Sequence, residues 1–363
     1  MSIRSCVIFS ILYLPVLVNR KPLTNRIFSG IVKEIKGGLS MGYSVTVVGS
    51  AFDAGHIEKI RTTSDSLGCA VRFCPDWDAA LPHLGDTQIL YAPSDSRSPE
   101  MIRLAPNLQW FASCFAGVDP LLVPGVLPEG ILLTNGSGAY GITIAEHLIM
   151  VSLMLMRRMP EYEHFVQTRQ FRSDLMIGSL YGANVVICGT GDIGSQFAKR
   201  LRAFCPAAIT GINRTGHEAP DFDRVLPIAR LDEVLPEADL LVLTLPSTRQ
   251  TDDLMTAKRL ASMKSSAFLV NVGRGNCIDQ DALIDALKEK RLAGAALDVF
   301  RTEPIPADDP AWNTPGLLVT PHCSGKMTMQ YTRDTLVDSF CDNLRRFCTG
   351  QPMHNLVDLK LGY

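Results

Sequence analysis

The sequence predicts an α/β protein of two domains built on doubly wound parallel sheets. Three observations predict it. The chain has 363 residues, more than one compact core usually takes. Apolar β-like runs alternate with amphipathic stretches along most of it, the pattern of a parallel sheet covered on both faces. A glycine-rich turn, Gly189-Thr190-Gly191-Asp192-Ile193-Gly194, sits between a strand-like and a helix-like segment.

The elements follow in order. The apolar run Cys6 to Val18 reads as a buried first strand: Pro15 interrupts it, no small-residue cleavage site follows closely, and it is too short to span a bilayer. Arg26 to Leu39 has helical character, and Tyr43 to Val48, Gln88 to Ala92 and Trp110 to Ser113 read as strands. Ile142 to Arg158 is apolar on most sides and predicts a long buried helix, placed where it could separate the two domains; His147 within it reads as structural. Ala183 to Cys188 is the strand before the glycine turn, and Ser195 to Phe204 the helix after it. Ala208 to Ile212, Leu240 to Leu245, Phe268 to Val272, Ala295 to Val299 and Leu317 to Thr320 complete a second sheet. Thr328 to Phe347 places Leu336, Phe340, Leu344 and Phe347 in helical register, as a docking helix.

Composition narrows the function. A formal charge of −2 leaves no basic footprint for nucleic acid, and no Lys/Arg-rich stretch suggests a membrane surface. The ten cysteines form no C-x-x-C pair and no zinc-finger spacing with histidine, so no metal site is expected; reduced thiols in a cytoplasmic protein are.

The glycine turn is G-x-G-x-x-G in the strand–turn–helix setting that dinucleotide binding needs. Gly189 permits the tight turn, Gly191 lets the backbone approach a pyrophosphate, and Gly194 lets helix and strand pack closely. Free amides near Asp192, Ile193 and Gly194 then meet the anion at the helix N-terminus. The next strand ends in Gly211-Ile212-Asn213-Arg214-Thr215, without the carboxylate that usually holds a ribose 2′-hydroxyl. Arg214 suits a 2′-phosphate, with Asn213 or Thr215 adding hydrogen bonds, so NADP(H) is the expected cofactor and NAD(H) the alternative.

Three more segments fall at strand ends: Asn271-Val272-Gly273-Arg274-Gly275, Asp298-Val299-Phe300-Arg301-Thr302-Glu303-Pro304 and Thr320-Pro321-His322-Cys323-Ser324-Gly325. With Phe115-Ala116-Gly117-Val118-Asp119 and Ala145-Glu146-His147, they make the chain from about Trp110 to Gly325 resemble the D-isomer-specific 2-hydroxyacid dehydrogenases. The resemblance implies hydride transfer between a nicotinamide and a 2-keto or 2-hydroxy acid; Arg214, through NADPH, makes 2-keto acid reduction the expected direction. It makes Arg274 the substrate arginine, His322 the acid/base, Glu303 its carboxylate partner and Asp298 a contact of the nicotinamide amide. It also implies that the amides of Ala116, Gly117 and Val118 hold the substrate carboxylate, that Leu245-Pro246 flanks the cofactor, and that Ser324 and Gly325 lie on the nicotinamide side. The chemistry agrees, since guanidinium clamps carboxylate with paired hydrogen bonds and histidine exchanges protons near neutral pH. Phe115 is large for such a loop and either lines a pocket for a bulkier acid or packs away. The resemblance further implies two Rossmann-like doubly wound domains with a cleft between them, a cofactor domain at 134–326, a substrate domain at 1–133 plus 327–363, and a homodimer. Two rivals stay open: a nucleotide-sensing corepressor that binds peptides, and an enzyme acting on formate or phosphite.

Overall fold

The computed structural model describes residues 42–362, so the strand expected at Cys6 to Val18 and the helix at Arg26 to Leu39 lie outside the described residues. Two all-parallel sheets organise the rest. The first is built from β1 (Ser44–Val48), β2 (Ala70–Cys74), β3 (Ile89–Ala92), β4 (Trp110–Ser113) and β5 (Leu132–Thr134), in the order β2-β1-β3-β4-β5. The second contains β6 (Asn184–Cys188), β7 (Ala208–Asn213), β8 (Arg224–Pro227), β9 (Leu240–Leu243), β10 (Phe268–Asn271), β11 (Gly294–Leu297) and β12 (Leu317–Val319). Its order is β12-β11-β10-β9-β6-β7-β8, with the topological switch between β6 and β9. A crevice opens outside the strand ends at such a switch. The inner strands β9, β10 and β11 are buried at every residue, as expected for parallel strands covered on both faces.

The described helices are α1 (Ala54–Ser66), α2 (Trp77–Ala80), α3 (Ser98–Arg103), α4 (Gly141–Met156), α5 (Met159–Gln167), α6 (Asp192–Leu201), α7 (Ala257–Ser262), α8 (Gln280–Lys288) and α9 (Gln330–Thr349). α9 returns across the first sheet. Its Phe340 stacks on Tyr91 at 4.2 Å and on Trp110 at 5.5 Å, contacts worth about 0.5–1.5 kcal/mol each beyond their buried area. The docking helix expected from periodicity is therefore present, shifted by two residues at each end.

Three strands escaped the sequence reading: β2, β5 and β8. Each is an edge strand. β2 and β8 keep most residues partly or fully exposed, and β5 is three residues long, so none leaves the continuous apolar run that marks an inner strand.

The long helix also differs from expectation. It ends at Met156, and Arg158 adopts a left-handed backbone (φ 57°) before Pro160 opens α5. The apolar count overran the arginines because a local break leaves no trace in hydrophobicity; Pro160, favoured in a first helical turn, was the available signal. α4 packs on α6 and on β10 and β11 of the second sheet, and just before its N-terminus the Tyr140 hydroxyl donates to Cys114 O at 2.8 Å, at the end of β4. Nor is it buried all round, since Met150 is 47 % exposed.

Candidate active site

The glycine turn lies at the switch point. A Cβ at Gly189 would fall 2.3 Å from Thr244 Oγ1, beyond β9, and one at Gly194 would fall 1.9 Å from Gly189 O. Neither approach tolerates a side chain. At Gly191 an added Cβ would meet nothing within 4 Å, so the turn opens onto free space at the start of α6. The helix begins at Asp192, and its first backbone bond runs from Ser195 N–H to Gly191 O at 2.9 Å. The amides of Asp192, Ile193 and Gly194 precede that bond and sit at the positive end of the helix dipole, as anion binding requires. These residues fit a dinucleotide pyrophosphate.

The Asp192 side chain is turned away from this task. Both carboxylate oxygens lie within 2.5 Å of a Cβ built at Gly141, at the start of α4. Burial pushes the Asp192 pKa up, against the pull of the Gly141 and Gly138 amides. What it offers a cofactor is therefore its amide. Asn213 is similarly committed. Its Nδ2 donates to Thr190 Oγ1 (3.0 Å) and His217 O (2.9 Å), and its Oδ1 accepts from the amides of Thr215 (3.2 Å) and Gly216 (2.6 Å). It ties the β7 turn to the glycine turn and has no hydrogen-bonding capacity left for a ribose. Arg214 and Thr215 beside it are exposed.

On the opposite side of the cleft, Ala116-Gly117-Val118-Asp119 follows β4. Ser94 Oγ donates to Gly117 O at 2.5 Å and Asn135 Nδ2 to Ala116 O at 3.0 Å, which fixes the loop by its carbonyls. The amides of Ala116, Gly117 and Val118 donate to no acceptor among the described residues. This loop, the glycine turn, Leu245, Pro246 and Arg274 line one cavity of about 240 Å³. Phe115 is 38 % exposed and is not among the residues lining that cavity.

Loops after two further strands bring His322 and Glu303 together. His322 Nδ1 lies 2.7 Å from Glu303 Oε2, and Glu303 Oε1 accepts from the Phe300 amide at 2.7 Å. A carboxylate only accepts, so Nδ1 carries the proton and Nε2 is the nitrogen left to exchange one with a ligand. Burial alone would raise the Glu303 pKa. The hydrogen bond from His322, the Phe300 amide and the charges of His322 and Arg274 more than offset it, and the carboxyl stays below its ordinary value. A Cβ at Gly275 would fall 1.9 Å from Phe300 C, so this glycine is what lets the arginine loop and the glutamate loop meet.

Asp298 holds the histidine loop. Its carboxylate, 2 % exposed, accepts from Thr320 Oγ1 (2.6 Å) and the Cys323 amide (2.9 Å) on one oxygen and from the Ser324 amide (3.0 Å) on the other. Burial opposes its ionisation, but the Ser324 and Thr320 side chains and these amides outweigh it, and its pKa is lowered. His322 itself has φ 47°, a left-handed conformation costing about 1–3 kcal/mol in a side-chain-bearing residue, and its amide is tied to Asp298 O at 2.9 Å. The nicotinamide contact expected of Asp298 would have to share oxygens already engaged by this loop. His147 stands behind it, with Nε2 3.4 Å from Thr320 Oγ1; the hydroxyl donates to Asp298 and so accepts from the imidazole. Burial lowers the His147 pKa despite the Asp298 charge, which keeps it a neutral support. Gly325 packs against α4, where a Cβ would lie 3.0 Å from Ile144 Cδ1.

Sequence reasoning passed over Thr244, which no motif marks, and gave Asp119 no task although it closes the substrate-loop motif. Asp119 is paired with Arg274.

The chain matches the model of the D-isomer specific 2-hydroxyacid dehydrogenase NAD binding domain over residues 149–324. It is 31 % identical over 272 residues to a glyoxylate reductase of Korarchaeum cryptofilum, covering 73 % of this chain and 80 % of that protein. It is 32 % identical over 263 residues to glyoxylate/hydroxypyruvate reductase B of Yersinia pestis, covering 71 % and 80 %. Among solved structures, a D-isomer specific 2-hydroxyacid dehydrogenase family protein from Aeromonas salmonicida superposes with a TM-score of 0.77 at 34 % identity, covering 88 % of this chain and all of that one. A D-isomer specific 2-hydroxyacid dehydrogenase from Xanthobacter autotrophicus, solved with NADPH and MES, gives 0.74 at 27 % identity, covering 89 % and all of that chain. By these matches the chain belongs to the D-isomer specific 2-hydroxyacid dehydrogenase family.

Proposed function

We propose that the protein reduces a small 2-keto acid to the 2-hydroxy acid, with NADPH preferred over NADH. The observation that carries this reading is the Glu303–His322 pair at 2.7 Å, its histidine loop held by the Asp298 carboxylate and its glutamate within reach of the Arg274 charge. A reduced nicotinamide, when bound, supplies the hydride that goes to the keto carbon. The amides of Ala116, Gly117 and Val118 together with Arg274 bind the carboxylate and polarise the carbonyl. His322 Nε2 gives its proton to the keto oxygen as negative charge develops there, and Glu303 stabilises the imidazolium beforehand. In the reverse direction the same nitrogen takes the hydroxyl proton.

NADPH preference rests on an exposed Arg214, which makes no ion pair with the described residues, and on the missing carboxylate after β7. The relatives of Yersinia pestis and Korarchaeum cryptofilum are named for glyoxylate and hydroxypyruvate, which supports acids of that size. Of the described residues we assign 135–326 to the cofactor domain and 42–134 plus 327–362 to the substrate domain; the boundary expected at 134 moves by one residue because Thr134 closes β5. A homodimer is supported by the outward apolar side chains Met150, Met159, Val166, Phe171 and Met176, which cluster in sequence around α4 and α5. Cytoplasmic placement is supported by the cysteines: the nine among the described residues are free and most are buried; among those residues no helix is long and apolar enough to cross a membrane.

The test is loss of reduced-nicotinamide absorbance with glyoxylate, hydroxypyruvate and larger 2-keto acids, run with NADPH and with NADH. Keto-acid-dependent oxidation with the lower KM for NADPH is expected. Cofactor binding without turnover on any acid would contradict the reading and favour a nucleotide-sensing binder.

A further inference from the structure

Arg274 and Asp119 belong to different sheets. Arg274 follows β10, Asp119 follows β4, and 155 positions separate them in the chain. Asp119 Oδ2 accepts from Arg274 Nε at 2.9 Å and from Nη2 at 2.8 Å, while Nη1 donates to Gly273 O at 2.7 Å. A guanidinium has five N–H bonds. These contacts use three and leave one on each terminal nitrogen. Those two N–H groups remain free to donate to a carboxylate, or to a carboxylate oxygen and its neighbouring carbonyl. Gly117 completes the arrangement, because a Cβ there would fall 1.7 Å from Nη2. The guanidinium therefore lies against the loop whose free amides face the cavity.

We propose that Asp119 is a positioning residue, gripping Arg274 across the cleft along its Nε–Nη2 edge so that its free N–H groups and the Ala116–Val118 amides converge on one substrate carboxylate. This rests on the assignment of Arg274 as the substrate arginine. A purely structural ion pair is the competing account. The two side chains are 28 % and 37 % exposed, and pairs that open to water contribute little to folding. The contact's consequence is then geometric. It sets where the charge sits and joins the substrate loop to the cofactor side at the point where the acid enters. A second competing account makes Asp119 a rival anion that the substrate must displace, and it predicts the opposite sign in KM.

The experiment compares Asp119→Ala, Asp119→Asn and Asp119→Glu with the unmodified full-length protein, alone and combined with Arg274→Ala. Readouts are the KM and kcat for glyoxylate, the cofactor Kd, the Tm, and calorimetric binding of oxamate, an unreactive 2-keto acid mimic. Misplacement of a binding group by about an ångström costs up to about 100-fold. Asp119→Ala should lower kcat/KM by roughly 10- to 100-fold, mainly through KM, and weaken oxamate to match, with cofactor Kd and Tm unchanged. Asp119→Asn, which keeps one acceptor oxygen, should recover part of the loss. In the Arg274→Ala background, Asp119→Ala should add almost nothing, because the residue acts through the arginine. The proposal is overturned by a lower KM in Asp119→Asn, by additive losses in the double variant, or by a drop in Tm that accounts for the lost activity. If Arg274→Ala abolishes activity while Asp119→Ala is neutral, the proposal alone falls. If Arg274→Ala is itself neutral, the active-site assignment falls and takes the proposal with it.

Discussion

Two loops face the same cleft and are specified in opposite ways. The glycine turn of residues 189–194 owes its shape to missing side chains: Cβ atoms at Gly189 and Gly194 would collide with Thr244 Oγ1 at 2.3 Å and Gly189 O at 1.9 Å. The histidine loop of residues 320–325 owes its shape to a buried charge, the Asp298 carboxylate, which gathers Thr320, Cys323 and Ser324 and ties down a left-handed His322. A sterically specified turn is local in sequence and tolerates nothing larger. An electrostatically specified loop draws its parts from separate strand ends and fails when its central charge goes. One suits a backbone that must lie against a phosphate, the other a side chain that must hold its orientation while its own charge changes.

The comparison predicts different failures. Asp298→Ala should have the larger effect: the part-buried donors of Thr320 and Cys323 and the buried Ser324 amide lose their acceptor, which costs about 3 kcal/mol and releases His322. Urea unfolding should show that loss, with turnover reduced even where the protein is fully folded. Gly194→Ala should cost less, about 1–3 kcal/mol of overpacking, and should weaken cofactor binding while leaving the Glu303–His322 pair in place. Cofactor titration separates the two, and equal cofactor affinities in both variants would break the distinction. The smallest effect concerns pH. The Glu303 pKa is lowered by folding, so its contribution is complete above its unfolded value, near 4.5, and is lost as pH falls through the lower folded value. The Tm of the unmodified protein should therefore fall more steeply below pH 4.5 than that of Glu303→Gln; parallel curves would remove Glu303 from the charged pair.

The same contrast explains what could be read from sequence. Gly189, Gly191 and Gly194 lie within six residues, and their context of β6 and α6 is local, so both the turn and the sheet around it were legible. Arg274, Glu303 and His322 were named through a resemblance that spans several motifs, and Glu303 and His322 do meet, at 2.7 Å. The hub role of Asp298 was not legible, since nothing in Asp298-Val299-Phe300 shows that its carboxylate will be surrounded by donors from residues 320–324. The Asp119–Arg274 contact was invisible for the same reason, since only the fold brings those positions together. Edge strands β2 and β8 were missed because a strand with one neighbour need not be apolar throughout, and β5 because three residues are too short to stand out. Asn213 was given to the cofactor because its amide suits a ribose, yet four hydrogen bonds inside the fold consume it.

The most direct test of the account is His322→Ala, assayed for keto-acid-dependent oxidation of NADPH beside a cofactor titration and a melting curve. The account predicts a loss of roughly 10²–10⁴-fold in kcat with cofactor Kd and Tm near those of the unmodified protein, because the side chain is 55 % exposed and its loop is held by Asp298. Turnover retained within a few fold, with the same cofactor affinity, would contradict it.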